Sequence, residues 1–538
     1  MEDGAGDRKL SGGQIASMER SNQLLPWRTD LLSQVMFDRL TQGLCGIIDE
    51  RMKQGASHFP AAAVLAASLF TGRPIEAFTQ LSMRWMHDTA PAADCEPGLY
   101  HGHVDTVWWL GAGAPSSRQD RSAAAADQAR RTGSGVILRC GFLTERLMQL
   151  SIEYQGLRVD LSHGPVALFQ PHVVKTLAAD CAKLLQRLAR RHDCTVTLKK
   201  IESWLFQRVI EETGDPATAS IITGKTSALS HATLHYASAS HSRARAVHAR
   251  IVTLGDTIIR PAPESDPPPR NWDDEVLWQA QPRLPAAIET VRLGSKFVPK
   301  PEEVQRLSTR LRASLDQART SQGHSRAAEI HRAFTLYTIA AIGFATGMRA
   351  VRDPIPSLTM ADRTTGFVVI DDKGGKGGSK SRLSWLAPAA LEQVARYERH
   401  LRTIEALLPA TGAAGITAMR AQRHDRLPVF FIKASGEIRP ARVKDVAAAF
   451  AEPAIDFHLP MNAWRHYVRA ELLMNVPGDV LHAFLGHWHR GQEPWSEFSA
   501  LDPVVYKANL ASVLTPMLAR DGWEPEWGLG DEQAAGSA

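Results

Sequence analysis

Five prolines in eleven residues, Arg260–Arg270 (RPAPESDPPPR), divide this chain. Proline fixes φ and has no N–H to donate, so this stretch continues neither a helix nor a central strand. One core running through all 538 residues is therefore not expected, and the length fits two to four domains. The reading is a loose polar tail over 1–20, a mostly helical region over 21–259, a linker over 260–275, a second folded region over 276–520 and a disordered tail over 521–538. Hydrophobic residues at 44% and charged residues at 22% exclude a wholly disordered or fibrous chain.

The longest apolar stretches, near Phe59–Gly72 and Phe334–Met348, fall short of the ~20 residues that span a bilayer. They read as buried core helices, and no membrane partner is expected. The opening MEDGAGDRKL has no basic-then-apolar order, so no secretory signal is predicted. Five scattered cysteines without CxxC spacing argue against a disulfide framework or a zinc finger and predict a cytoplasmic protein.

The formal net charge is +5. Between Arg326 and Lys507 there are 23 Lys and Arg against 18 Asp and Glu, an excess equal to that of the whole chain. Positive charge gathered in the C-terminal region suits a polyanion partner, and equally an ordinary solvated surface.

Pattern places the remaining elements. Pro171–Arg191 has apolar residues at three-to-four spacing and a basic last turn, which predicts a helix. Ser116–Ala125 reads as a loop leading into an Ala-rich helix. Val298–Leu315 carries Pro301, Glu302 and Glu303 where a helix N-terminus favours them. Arg332–Thr346 is an apolar helix stopped by Gly347. Gly366–Asp372 and Arg382–Leu386 read as two strands of a hairpin with a long basic turn. Pro388–Leu407, Val443–Phe450, Met461–Met474, Pro477–Leu485 and Val504–Leu514 read as helices. The predicted class is mainly α with a small antiparallel β-sheet, an α+β chain.

Nucleotide and metal motifs fail. Gly224-Lys225-Thr226 ends like a phosphate-binding loop, but the earlier glycine position is Ala219. Lys380-Ser381 follows Ser379 where that loop needs glycine. His482, His487 and His489 have no carboxylate or cysteine at ligand spacing. No cofactor and no metal is expected.

Four segments of the C-terminal region do form a constellation. They are Ala345-Thr-Gly-Met-Arg349 at the end of an apolar helix and the basic turn Lys373-Gly-Gly-Lys376-Gly-Gly-Ser-Lys380. Next comes Asn462-Ala-Trp-Arg465-His466-Tyr467 opening a helix, and last Leu485-Gly486-His487. In this order they resemble the catalytic domain of tyrosine recombinases, also called phage-type integrases. That family has a TGxR segment, a lysine-bearing hairpin, an HxxRH box and an LGH box before its tyrosine. The resemblance covers Val298–Val513, about 40% of the chain.

The resemblance implies a tyrosine-recombinase-like domain that cuts and rejoins double-stranded DNA through a tyrosine–phosphate link. It would act as a homo-multimer, and other recombinase subunits are compatible partners. Arg349 and Arg465 match the two arginines that clamp the nonbridging oxygens, where a planar fork outperforms a lysine. Lys376, or else Lys380, matches the general acid that protonates the 5′-oxygen leaving group. His487 matches the histidine that donates to the scissile phosphate. By themselves these residues also fit plain structural duties. An arginine after a helix-ending glycine caps carbonyls, a loop lysine is solvated, and a histidine beside a tryptophan packs.

The match departs from the family in two places. Asn462 stands where HxxR has histidine, and it can hydrogen-bond a phosphate but not shuttle a proton. The nucleophile is expected about nine residues past His487, where Trp495-Ser-Glu-Phe498 has no tyrosine. The one tyrosine downstream is Tyr506. Either an insertion delays a nucleophile at Tyr506, or the chain is an inactive DNA-binding accessory or regulatory protein of a mobile element. A helical interaction scaffold is a third, unrelated reading, and convergence of Arg349, Arg465 and His487 would separate it from the other two.

The N-terminal half says less; the resemblance implies that 21–259 includes the helical core-binding part that precedes the catalytic domain and also touches DNA. Ala61–Phe78 is an apolar helix interrupted at Thr71-Gly72-Arg73, an echo of the segment ending at Arg349. A degenerate second copy and a buried helix with a glycine stop both fit. His241–Arg250 (HSRARAVHAR) is basic enough to track a phosphate backbone.

Overall fold

The computed structural model describes residues 31–50, 58–85, 96–101, 106–113, 122–157, 164–192, 195–226, 231–259, 291–322, 325–351, 353–355, 361–371, 381–422, 428–433, 435–488, 493–497 and 499–530. It forms two compact units. Unit 1 is Met1–Ser116 with Arg131–Ser295, and unit 2 is Ser117–Arg130 with Lys296–Ala538. The tail over 1–20 and the linker over 260–275 lie outside the described residues.

Unit 1 is built around helix α2 (Phe59–Thr71). Its sequence, FPAAAVLAASLFT, has no charge, and every residue is buried, as a helix that is apolar all round requires. Gly72 stops it at φ 68°, a left-handed cap that strains an L side chain but not glycine. Against α2 pack α1 (Gln34–Glu50), α4 (Phe142–Tyr154), α5 (Pro171–His192) and α6 (Leu198–Thr213). Phe37 of α1 stacks on Trp204 of α6 with ring centroids 4.3 Å apart.

The N-terminal region also carries sheets that its sequence hides. One has the order β5-β3-β2-β1-β6, from β1 (Ser82–Trp85), β2 (Gly98–His101), β3 (Thr106–Gly111), β5 (Gly135–Arg139) and β6 (Val166–Ala167). Antiparallel pairing sets Trp108 opposite Leu99 on one side and Leu138 on the other. Helix α7 (Pro216–Thr223) ends at Gly224, φ 69°. After α8 (His231–Leu234), strand β7 (Ser238–Ser240) joins β4 (Thr132–Gly133) and β8 (Arg292–Gly294) in the order β4-β8-β7. Because β8 pairs inside unit 1, the division between units falls at Ser295, beyond the proline-rich stretch. The basic run expected to track phosphates lies in α9 (His241–Ile259), where His241, Arg245 and His248 are buried and His248 Nε2 reaches the Phe70 carbonyl at 2.7 Å. Much of that face is core.

Unit 2 opens with α10 (Pro301–Thr320), Lys300 at its N-cap and Pro301 as first helical residue. Its centre is α11 (Arg326–Thr346), buried throughout from Ile330 to Thr346 except at Arg332 and stopped by Gly347 at φ 55°. Strands β9 (Phe367–Ile370) and β10 (Arg382–Trp385) form the expected antiparallel pair, with Arg382 opposite Ile370. The turn bearing Lys373, Lys376 and Lys380 lies outside the described residues. Then come α12 (Pro388–Leu407), α13 (Ala410–Gln422), a β11 (Phe430–Ile432) and β12 (Ile438–Pro440) hairpin, and α14 (Val443–Phe450). The unit closes with α15 (Ala463–Leu473), α16 (Gly478–Leu485) and α17 (Pro503–Arg520). Helix α13 and the β11–β12 hairpin are additions to the sequence reading.

Helix α3 (Ala123–Gln128) belongs to unit 2, far in sequence from its neighbours there. Gln128 accepts from the His458 amide at 2.7 Å and donates to the Asp456 carbonyl. Arg130 pairs with Glu471 of α15 at 2.8 Å. The stretch from Asp521, expected as a disordered tail, is instead packed as far as Gly530. Arg396 donates to the Pro525 carbonyl at 2.9 Å, and the Arg319 guanidinium lies 3.7 Å from the centre of the Trp527 ring. The Glu526 amide donates to Gln393 at 2.8 Å. This strap runs across α10, α11 and α12.

Candidate functional site

Two helix ends create the site. Helix α11 ends at Gly347 and α16 ends at Gly486, φ 65°, each in the left-handed turn that reverses the chain at once. Two residues past the first cap comes Arg349, and directly after the second comes His487. The His487 amide donates back to the His482 carbonyl at 2.9 Å, which fixes the turn.

Helix α15 approaches α11 closely because Gly343 has no side chain. A Cβ there would meet the Trp464 ring at 2.5 Å. The Trp464 indole N–H donates to the Met348 carbonyl at 2.7 Å and so sets the segment that carries Arg349. The next residue, Arg465, is fully buried. Its Nη1 donates to the Gly347 carbonyl at 2.8 Å and its Nη2 to the Leu485 carbonyl. Arg382, at the start of β10, does the same one step back. Its Nη2 donates to the Thr346 carbonyl at 3.0 Å and its Nη1 to the Phe484 carbonyl. Two buried guanidiniums thus tie together the C-terminal carbonyls of two helices. Those carbonyls are the negative ends of the helix dipoles, which helps to offset desolvation of the arginines.

Arg349, Arg465 and His487 converge. Arg465 Nη2 lies 3.1 Å and Arg349 Nη2 3.4 Å from His487 Nε2. An arginine only donates, so Nε2 is the acceptor and the neutral ring carries its proton on Nδ1. Burial first, then the positive charges of Arg465, Arg469, Arg349 and His482, hold the His487 imidazole well below its ordinary pKa. Arg469, fully buried one turn beyond Arg465, completes the cationic surround. The arrangement suits an anion with two oxygens to clamp, and such an anion would ease protonation of His487.

Of the other predicted residues, the two that are described, Asn462 and Tyr506, make no side-chain hydrogen bond to this cluster. Asn462 is the N-cap residue of α15, half-buried, with its carbonyl accepting from the Arg465 amide at 3.0 Å. Lys376 and Lys380 lie outside the described residues. Tyr506, in the first turn of α17, is fully buried, and its hydroxyl donates to the Leu383 carbonyl at 2.8 Å rather than to the arginines or His487. Its ring packs edge-on against Trp495, centroids 4.9 Å apart. Burial pushes its phenol far above the ordinary range. Arg382, read from the sequence only as the start of a strand, and Arg469 are not among the predicted site residues. Arg469 had a signal, since it sits four residues from Arg465 on the same helix face.

Among the described residues, no group of three or more His, Cys, Asp and Glu gathers in a metal-binding arrangement, and no helix is long and apolar enough to cross a membrane. No family model, no curated protein and no solved structure matches the chain.

Proposed function

We propose that unit 2 binds double-stranded DNA and cuts and rejoins it as a tyrosine recombinase does. One observation carries this reading: Arg349 and Arg465, from two separate segments, both lie within hydrogen-bond range of His487, from a third. In the proposed reaction the two guanidiniums bind the nonbridging oxygens of the scissile phosphate and stabilise the charge that builds there. A tyrosine hydroxyl releases its proton to water as its oxygen attacks phosphorus, and the bond to the 5′-oxygen breaks. Lys376 in the basic turn gives that oxygen its proton. His487, its Nε2 protonated once the anion is in place, donates to the phosphate. Return of the 5′-hydroxyl, or of one from a partner strand, reverses the step. The protein would act in the cytoplasm as a multimer on DNA, with no cofactor or metal.

A second reading has its own observation. The Tyr506 hydroxyl is buried and held by the Leu383 carbonyl, so it must leave that bond to attack. A chain that keeps the clamp and never frees the tyrosine is a DNA-binding accessory or regulatory protein.

A nicked duplex that loses a short strand on cleavage separates the two. The first reading expects a covalent protein–DNA adduct mapped to Tyr506 and absent from Tyr506→Phe, with unchanged duplex affinity. No adduct despite tight binding favours the accessory protein, and an adduct on another residue removes Tyr506 as nucleophile. Both readings expect affinity for duplex DNA to fall by about 10³-fold or more between about 50 and 200 mM salt, as counterions are released. Affinity independent of salt would sink both.

A further inference from the structure

Unit 1 shares a series of elements, in the same order, with unit 2. In each, a buried central helix ends at a left-handed glycine, α2 at Gly72 and α11 at Gly347. In each, strands follow that include an antiparallel pair, β3 with β5 and β9 with β10, and the second of the pair leads into a helix on the central one, β5 into α4 and β10 into α12. In each, a longer helix on the central one precedes a helix of eight residues, α6 then α7 and α15 then α16. Both short helices end at a left-handed glycine followed by a basic residue, Gly224-Lys225 and Gly486-His487. A last helix then packs on that pair, α9 in unit 1 and α17 in unit 2.

The contacts at the two glycine pairs also correspond. A Cβ on Gly72 would meet Thr223, the last residue of α7. One on Gly347 has Leu485, the last residue of α16, among its neighbours. A Cβ on the second glycine would meet an arginine in both units, Arg73 at Gly224 and Arg382 at Gly486. Each of those arginines donates to the penultimate carbonyl of its short helix, Arg73 to Ile222 at 3.3 Å and Arg382 to Phe484.

We infer that unit 1 is a second copy of the frame that holds the candidate site, and that Arg73 closes this copy as a structural brace rather than a phosphate contact. Its Nη2 is shared between the Gly111 and Ile222 carbonyls, and its guanidinium, Nη1 foremost, fills the space that a Cβ on Gly224 would need. The residue as far before Gly224 as Arg465 is before Gly486 is Ser203, so the buried clamp has no cation there. Lys225, in the place of His487, gives its Nζ to the Glu202 carbonyl at 2.7 Å. Burial lowers the Arg73 pKa to about 10, in keeping with a guanidinium walled in by backbone. One frame in the chain therefore carries the two-arginine and histidine cluster, and the other has a brace in its place. This inference rests on the geometry of the two frames and not on the recombinase reading.

The test uses the full chain and a duplex oligonucleotide. In the wild type, phenylglyoxal labelling of arginines is mapped by mass spectrometry with and without the duplex. Arg73 is expected to label slowly and equally in both. In Arg73→Lys, and in Gly224→Ala, amide exchange is expected to speed up at least tenfold in α7 and the end of α2, while duplex affinity stays within twofold. Rapid labelling of Arg73 that the duplex suppresses would overturn the inference. So would a tenfold loss of duplex affinity in Arg73→Lys with unit 1 still protected from exchange. Should Arg349 show no protection by the duplex, the DNA reading of unit 2 fails while the closed frame of unit 1 stands.

Discussion

On the proposed function, Arg465→Lys is expected to cut strand cleavage by about 10²–10³-fold, the usual loss when one preorganised donor to a developing oxyanion goes. Lysine keeps the charge but reaches one acceptor where the guanidinium reaches three: the Gly347 carbonyl, the Leu485 carbonyl and His487 Nε2. Two of these three acceptors then lose a buried donor, at a cost of about 1–3 kcal/mol each. The thermal midpoint of unit 2 should fall with activity. Arg349→Lys is the informative partner. Arg349 is half-exposed and set by the backbone of Met348, so its loss should reduce cleavage to a similar degree with little change in midpoint. Duplex affinity should hold largely in both variants, because the fork matters most as charge develops. Full cleavage by either variant would remove that arginine from the reaction.

Acid should open the strap of unit 2 before the rest of that unit. The Leu529 amide donates to His400 Nδ1, so the His400 proton sits on Nε2 and points at His331 Nδ1; His331 Nε2 then donates to the Phe430 carbonyl. Each of the three contacts is 3.0 Å long, and all four ring nitrogens are used. A proton added to either ring must break one of these bonds. Burial lowers His331 to about 4, and burial together with the neighbouring ring holds His400 well below its ordinary value. In the unfolded chain both titrate near 6.5, so between about 6.5 and 4 the unfolded state binds more protons. Stability is thus full above about pH 6.5 and is lost as pH falls towards 4. For His331 alone the loss is about 3 kcal/mol, at 1.36 kcal/mol per pKa unit. His241 and His248 of unit 1 are lowered to about 4 in the same way, so the readout must be local. Exchange of the Leu529 amide serves. It should accelerate between pH 6.5 and 4.5 in the wild type and less steeply in His331→Gln. Exchange that follows only intrinsic pH dependence would sink the idea.

Sequence legibility followed local chemistry. Helices α11, α16 and α17 around the candidate site could be placed because each run stops at a glycine or starts at a proline, signals that act within a few residues. Helix Pro388–Leu407 is found at the predicted limits. Arg382 was illegible because it adjoins a lysine-rich turn, where an arginine reads as solvated. What buries it is a pair of helix ends about 36 and 102 residues away. The sheet of unit 1 was hidden for a different reason. Its strands run from two to six residues, too short for alternation to register, and β3 (TVWWLG) is buried on both faces up to its last residue. The strap from Asp521 looked loose because glycine, proline and acidic residues dominate it. It is ordered by arginines, glutamine and histidine on helices that precede it by more than a hundred residues.

Helix α3 has a consequence for how the protein is made. Arg130 leaves the ribosome 341 residues ahead of Glu471, its partner in unit 2. At about 5–20 residues per second, roughly 17–70 seconds pass before that carboxylate exists. During this interval the α3 segment is far below the ~12–15 residues at which an isolated helix holds in water. Unit 1 must complete its sheet while the stretch between β3 and β4 stays undocked. A gene truncated to begin after the proline-rich stretch would omit this piece, and its product would present Glu471 without Arg130 and His458 without Gln128. Expression of unit 2 alone therefore calls for residues 117–130 to be supplied with it, on the same chain or as a separate peptide.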